Sequence, residues 1–453
     1  MNAVIVGGGK VGSELAATLV NDGHNVTVIE LDQKALSQLA EEVDIMPLCG
    51  NGNDISVLRE AAVERADIFI AVSPFDALNL LSCLMAQQIS DVKTIARVRN
   101  PMYSKELDFL KQKLGISKII NPEQLASNEI YKLLQYPALS RIDLLENGKV
   151  VIFTLHIKPE HEKLVGKDLK HLRQEICYDI LVCSVERAGE VLIPSGNFVI
   201  NTGDDLTFIS TLENMQDFFK NCGINNKSVS NVMITGGGTT AYYLIEKMLS
   251  HGKDVRVVEN DESRCRELSE DFPDADIVYG DGTDKNFLLK HGMDLADSFV
   301  ALTGVDEENI IASTFAKNLS NTKKVVAKVN RTDLSDVIYA LDIDSVVFPK
   351  LICADIIAQY VRALNSGVGG NIETLFRYMD NRVEIVEFKA GEAHAICNTP
   401  LIDLDLKKNL IIAGIIHDNK FIIPSGKDKI LAGDSVIVVS MNQSLTSLKD
   451  ILK

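Results

Sequence analysis

The chain has 453 residues, 46% hydrophobic and 24% charged, a length and composition that predict three or four ordinary cores rather than one. Its formal net charge is −17 and no run of five Lys or Arg occurs, so no nucleic acid partner is expected and adsorption to anionic lipid is disfavoured. No stretch approaches the roughly eighteen uncharged apolar residues of a spanning helix, so direct membrane insertion is excluded as an expectation.

From the N-terminus, MNAVIVGGGKVG runs directly into a strand and a glycine turn, with no leader pattern, and the chain reads as cytoplasmic. Strand-length apolar runs follow in order: AVIVG, NVTVIE, IMPLCG, IFIAVS, KTIARV and KIINP. Segments such as SELAATLVNDG lie between them, with apolar positions at helical spacing. Continuous apolar strands alternating with amphipathic helices predict an α/β, doubly wound parallel sheet covered on both faces. The alternation then stops. From about Arg141 to Leu212, short strands separated by Gly and Pro turns predict a small α+β module.

The polar stretch KNCGINNKSVSN, from Lys220, reads as a linker, and beyond it the whole pattern repeats. AVIVGGGKVG from Ala3 answers to VMITGGGTTA from Val232, and Glu30 of NVTVIE answers to Glu259 of DVRVVE at the same offset. GNGND answers to GDGTD, ADIFIAVS to ADSFVALT, IPSG to IPSG, and GDDL to GDSV. The expected domains are therefore a Rossmann-like domain at 1–136, a small α+β domain at 137–222, a second Rossmann-like domain at 230–364 and a second small domain at 370–453. The helical segments from Pro122 and Pro349 carry more apolar surface than one face needs, and are expected to pair the modules.

The strongest motif is G-x-G-x-x-G at Gly7, Gly9 and Gly12, after a predicted strand, opening a helix, with Glu30 ending the second strand. Gly7 permits the tight turn, Gly9 lets backbone approach a diphosphate, and Gly12 lets the helix pack on the strand. The diphosphate then sits on free N–H groups at the helix N-terminus, while Glu30 accepts from ribose hydroxyls and disfavours a 2′-phosphate. The first candidate site comprises Gly7, Gly8, Gly9, Lys10, Val11, Gly12, Glu30, Asn51, Gly52, Ser73, Pro74 and Arg97. The second comprises Gly236, Gly238, Thr239, Thr240, Glu259, Asp281, Gly282, Thr303 and Lys328, with Ala241 in place of the third glycine. Asp54 and Asp284 fall on the same strand edges, and Lys10 and Arg97 are placed to pair with phosphate.

No P-loop, Ser-His-Asp or Cys-His arrangement can be placed at these edges, so no catalytic residue is expected. An NAD-dependent oxidoreductase with an unrecognised substrate site is the competing class. The eight cysteines contain no C-x-x-C, which predicts reduced, mostly buried thiols and no metal site. His156 and His161, where a strand runs into a loop, are expected to be solvated.

Two copies of GGG-x-x-[GA], a Glu-ending second strand and a G-[ND]-G turn, each followed by a small domain with IPSG and a Gly-Asp turn, resemble the RCK (regulator of potassium conductance) family. The resemblance implies a nucleotide-sensing regulatory subunit, peripheral on the inner face of the plasma membrane. It would assemble as a homo-oligomer, a dimer of dimers or a tetramer, docked on a membrane potassium transporter of the Trk type. It also implies NAD(H), ATP or ADP in the crevices and a phosphate contact from Lys10. Asn51 departs from the family's usual Asp, and Thr239 and Ala241 depart at the second turn, so the two sites are expected to prefer different nucleotides.

Overall fold

Strands β1 (Asn2–Val6), β2 (Asn25–Glu30), β3 (Met46–Cys49), β4 (Ile68–Ala71), β5 (Lys93–Arg97) and β6 (Lys118–Ile120) form a parallel sheet in the order β3-β2-β1-β4-β5-β6. This is seen in a computed structural model that describes residues 1–453 except 105–106, 146–147, 177–178, 320–321, 332–333, 335–337, 339–340, 342, 366–371, 380–381, 392–395, 442–444 and 446. The runs AVIV and IFIA are apolar at consecutive positions because helices cover both faces of the sheet, and Val4, Val6, Phe69, Ala71 and Cys83 share one buried cluster. The order reverses between β1 and β4, so the C-terminal ends of those strands open a crevice beside the glycine turn.

A five-stranded antiparallel sheet follows: β7 (Arg141–Leu145), β8 (Val150–His156), β9 (Leu181–Arg187), β10 (Glu190–Leu192) and β11 (Asp205–Ser210), ordered β10-β9-β11-β8-β7. The second half repeats both architectures. Strands β12 (Asn231–Thr235), β13 (Asp254–Glu259), β14 (Asp276–Tyr279), β15 (Ser298–Ala301), β16 (Lys324–Lys328) and β17 (Ser345–Val347) are ordered β14-β13-β12-β15-β16-β17. Strands β18 (Ile372–Tyr378), β19 (Val383–Lys389), β20 (Leu410–His417), β21 (Lys420–Ile422) and β22 (Ser435–Met441) are ordered β18-β19-β22-β20-β21. The expected fold class is what the strand orders display.

The compact units cut across the two halves. One comprises Met1–Leu134 with Val229–Ala358, the two parallel sheets, and the other comprises Gln135–Ser228 with Gln359–Lys453, the two antiparallel ones. In the first unit the helix Pro122–Gln135 carries Ala126, Ile130, Leu133 and Leu134 into a buried cluster with Val232, Ile234, Leu244, Ile245 and Met248 of the other half. Its surplus apolar surface thus completes a neighbour's core. The helix Pro349–Asn365 makes the reciprocal contact, with Lys350 pairing to Glu14 at 3.1 Å. The symmetry is imperfect: Asn121 donates to the Tyr243 hydroxyl at 2.8 Å, which donates to the Arg99 carbonyl at 3.0 Å.

In the second unit, Val151, Phe153 and Leu155 bury one face of β8 against Phe208, Phe218 and Phe219. Val150 and Ile152 bury the other against Val383, Ile385, Ile437 and Val439 from the other half. Two covered faces explain the unbroken apolar run in β8. Each small domain also buries an aspartate at its Gly-Asp turn. Asp204 takes a bidentate pair from Arg187, at 2.6 Å and 2.7 Å. The matching Asp434 takes His417 Nδ1 at 2.6 Å.

That hydrogen bond, with the Asp434 charge, raises the His417 pKa above its ordinary value. Its contribution to stability is present below the unfolded-state pKa of about 6.5 and is lost as pH rises through the higher folded value. Melting of the second small domain is therefore expected to become easier with rising pH in that window, and His417→Arg is expected to flatten the profile. A His417→Arg melting curve as pH-dependent as wild type would count against this.

His161 departs from the solvated expectation. It is 8% exposed, its Nδ1 accepts the Lys158 N–H at 3.2 Å, and burial lowers its pKa. The strand-to-loop corner folds back over it. Cys83, Cys183, Cys222, Cys265 and Cys353 are buried free thiols, Cys49 is exposed, and Cys177 lies outside the described residues. Part of the proposed linker is helical, since the helix Leu212–Cys222 takes in Lys220, Asn221 and Cys222 before a left-handed Gly223 ends it.

Candidate functional site: two glycine-turn crevices

β1 ends at Val6, and the chain turns at Gly7 with φ +103°, while Gly236 repeats the turn after β12 with φ +89°. A β-carbon at Gly7 would lie 2.9 Å from the Ser73 nitrogen, so conformation and space both require glycine there. The turn helices Lys10–Asn21 and Thr239–Ser250 start at Gly9 and Gly238, and neither receives a side-chain cap among the described residues. The helices that follow β2, β3, β13 and β14 are each capped by an aspartate, Asp32, Asp54, Asp261 and Asp284. Asp54 and Asp284 are thereby committed to capping. The two turn helices leave their first N–H groups and positive dipole end for an anion. β-carbons at Gly9 and Gly238 would meet nothing within 4 Å, so both face open space.

Glu30 lies across the first turn. Its Oε2 accepts the Gly8 N–H at 2.6 Å, and Oε1 accepts the N–H groups of Leu31 at 2.7 Å and Asp32 at 3.1 Å. Glu259 does the same in the second half, with Gly237 at 2.5 Å, Asn260 at 2.7 Å and Asp261 at 2.8 Å. The middle glycine is thus pressed against the carboxylate it binds: a β-carbon at Gly8 would lie 3.3 Å from Glu30 Cβ.

The other candidates gather at the same edges. Lys10 is exposed, while Val11 and Thr240 are buried under their turn helices and Thr239 is half-buried. Asn51 Oδ1 accepts the Asn53 N–H, and Asp281 Oδ1 accepts the N–H and hydroxyl of Thr283. These backbone and hydroxyl bonds hold the Asp281 carboxyl below its ordinary range. Gly52 and Gly282 sit against Val6 and Thr235, where β-carbons would come within 2.2 Å and 2.9 Å. Ser73 and Thr303 lie in the loops after β4 and β15, and Pro74 is exposed. Gly12 is packed so tightly that a β-carbon would lie 1.8 Å from the Gly7 carbonyl oxygen, although Ala241 occupies the equivalent place in the second half.

The two rim cations are engaged. Arg97 Nη2 pairs with Glu123 Oε1 at 2.7 Å, the side chains only 13% and 18% exposed, and Arg97 Nε and Glu123 Oε2 are buried without hydrogen-bond partners among the described residues. Lys328 Nζ donates to the Leu302 carbonyl at 3.0 Å, and burial lowers its pKa against the opposing pull of Asp306 and Glu123.

Asn79 and Asn309 are further structural parts of the rim, outside the glycine motif. Fully buried Asn79 accepts the Ser73 N–H at 2.8 Å and donates to the carbonyls of Ser73 and Arg97, both at 3.0 Å. Asn309 makes the matching bonds to Thr303 and Lys328. The signal was the D-x-x-N shared by FDALN and VDEEN at one repeat register. Asn79→Leu should strand three backbone groups and destabilise the first parallel-sheet domain by about 2–3 kcal/mol, measurable by urea unfolding.

Models of the TrkA-N domain match residues 3–122 and 232–349, and models of the TrkA-C domain match residues 155–223 and 385–453. The chain belongs to the TrkA family. A Trk system potassium uptake protein TrkA homolog 1 from Methanosarcina mazei is 30% identical over 461 residues, with 100% of both chains covered. Trk system potassium uptake protein TrkA from Haemophilus influenzae is 29% identical, over 97% of this chain and 95% of its own. Among solved structures, the GsuK RCK domain superposes with a TM-score of 0.63 at 19% identity, covering 97% of this chain and 92% of its own. The GsuK channel bound to NAD superposes with a TM-score of 0.62 at 18% identity, over 97% of this chain and 77% of its own. These likenesses are in fold.

Proposed function

We propose that this chain is the nucleotide-sensing regulatory subunit of a membrane potassium uptake transporter, gating it through NAD(H), ADP or ATP held in the glycine-turn crevices. The observation that carries the reading is the duplicated, uncapped glycine turn with a glutamate fastened across it. The names of its full-length relatives supply the transporter as partner. Backbone N–H groups at Gly9–Val11 and Gly238–Thr240 would hold phosphates, Glu30 and Glu259 the ribose, and Lys10 a further phosphate oxygen. The nucleotide supplies negative charge and shape. On this reading the protein contributes no bond-making step and acts as a regulator.

No helix among the described residues is long and apolar enough to cross a membrane, and the proposed membrane contact is peripheral, from the cytoplasmic side, through a homo-oligomer. A nucleotide shifts a gate only by binding its two states unequally, and about 1.4 kcal/mol of difference changes the conducting ratio tenfold. The built-in place for such a difference is the Arg97–Glu123 pair. Phosphate drawing Arg97 away would leave Glu123 to Lys328 of the other half, linking occupancy of one crevice to the contact between halves.

Potassium flux through the transporter reconstituted in vesicles with this subunit should change with added NADH, ADP or ATP. Indifference of the purified chain to all three at millimolar levels would overturn the reading, as would steady NADH oxidation with a carbonyl substrate.

A further inference from the structure

The two crevices carry their positive charge in different places. The first has Lys10 in the glycine turn. In the second, Thr239 stands there, and a cation comes from another element. Arg264, in the first turn of the helix Glu262–Asp271, donates from Nε to the Gly237 carbonyl at 2.7 Å and from Nη1 to Glu267 at 2.8 Å. Its guanidinium carbon lies 5.9 Å from the Tyr242 ring centroid, on the turn helix itself. Its side chain is 28% exposed, and among the described residues Nη2 makes no hydrogen bond. At the matching position the first half has Ala35.

The placement is specific. Gly237 is held at its N–H by Glu259 and at its carbonyl by Arg264. The next residue, Gly238, is the one that faces open space and opens the uncapped helix. The guanidinium therefore holds the same glycine that the proposed sugar-binding carboxylate holds, one residue before the open end of the turn helix. Held by a carbonyl, a carboxylate and a ring, it is positioned before any ligand arrives, with three of its five N–H bonds to spare.

We propose that Arg264 is the anion-binding residue of the second crevice, contacting the phosphate attached directly to the ribose of an adenine nucleotide. The proposal rests on the reading of that crevice as a nucleotide site. Lys10, on a flexible stem at the start of the first turn helix, suits the outer phosphates of a longer chain. Arg264, near the sugar, suits a nucleotide with a single phosphate or a short chain. The second crevice is therefore the one expected to accept AMP almost as well as ADP.

Calorimetric titration of the full chain with adenosine, AMP and ADP tests this, with Lys10→Gln identifying the event that belongs to the first crevice. Arg264→Gln should weaken AMP and ADP about tenfold at the other event and leave adenosine there unchanged. Ala35→Arg should strengthen AMP several-fold at the first crevice, an arm that survives if Arg264→Gln fails to fold. Equal losses for adenosine and AMP would show that Arg264 only props the turn and would overturn the assignment. So would unchanged AMP binding in Arg264→Gln or in Ala35→Arg. A wild-type chain with a single event, abolished at the first crevice, would instead overturn the nucleotide reading of the second crevice, and the proposal with it.

Discussion

Glu30→Gln should weaken NADH and ADP binding at the first crevice by about 10- to 100-fold and leave the second unchanged, although it alters only an oxygen. Both carboxylate oxygens accept from backbone N–H groups, Oε2 from Gly8 and Oε1 from Leu31 and Asp32. A carboxamide has one acceptor oxygen, so in either orientation its NH2 group faces an N–H donor and at least one of these bonds fails. The turn then loses the fastening that sets Gly8 and Gly9 for phosphate, and the ribose loses a charged acceptor. Charge-assisted hydrogen bonds of this kind contribute about 1.5–3 kcal/mol each, which gives the stated range. Glu259→Gln should produce the mirror result. Calorimetry on the two single variants separates the crevices, and undiminished affinity in Glu30→Gln would remove the carboxylate from the site.

The parts of the fold legible in the sequence are those written in local periodicity. AVIV and NVTVIE announce covered parallel strands, Gly7 and Gly12 a turn whose geometry admits little else, and the excess apolar positions of PEQLASNEIYKLLQY a helix with two clients. What stayed hidden depends on partners distant in the chain. Arg97 reads as a rim cation, yet its guanidinium meets Glu123 at the start of that crossing helix, and no spacing rule predicts the meeting. Asn79 looks like an ordinary polar residue on a helix, and only the burial of its face turns it into the tie between the loop after β4 and the end of β5. Arg264 is hidden because the repeat displays what the halves share, whereas its meaning lies in what Ala35 lacks. His161 escaped because local polarity does not report a corner that folds back on itself.

Removing one member of the Arg97–Glu123 pair should be costly, and removing both much less so. Glu123→Leu leaves a guanidinium only 13% exposed, with Nε already without a hydrogen-bond partner among the described residues, beside the buried Cys353 thiol that desolvation pushes up to about 12. A buried charge stripped of its partner typically costs about 3–5 kcal/mol, while replacing a whole buried pair with apolar groups is often neutral. Urea unfolding of Glu123→Leu and Arg97→Leu should therefore show losses of about that size for the first unit. The double variant should recover most of the loss, giving a coupling energy of about 2 kcal/mol or more. The double variant also bears on the gate. If Arg97 leaves Glu123 for phosphate when a nucleotide arrives, that variant should still bind nucleotide through the turn but lose the effect of binding on potassium flux. Additive losses would show that the pair makes no net interaction, and intact gating in the double variant would place the switch elsewhere.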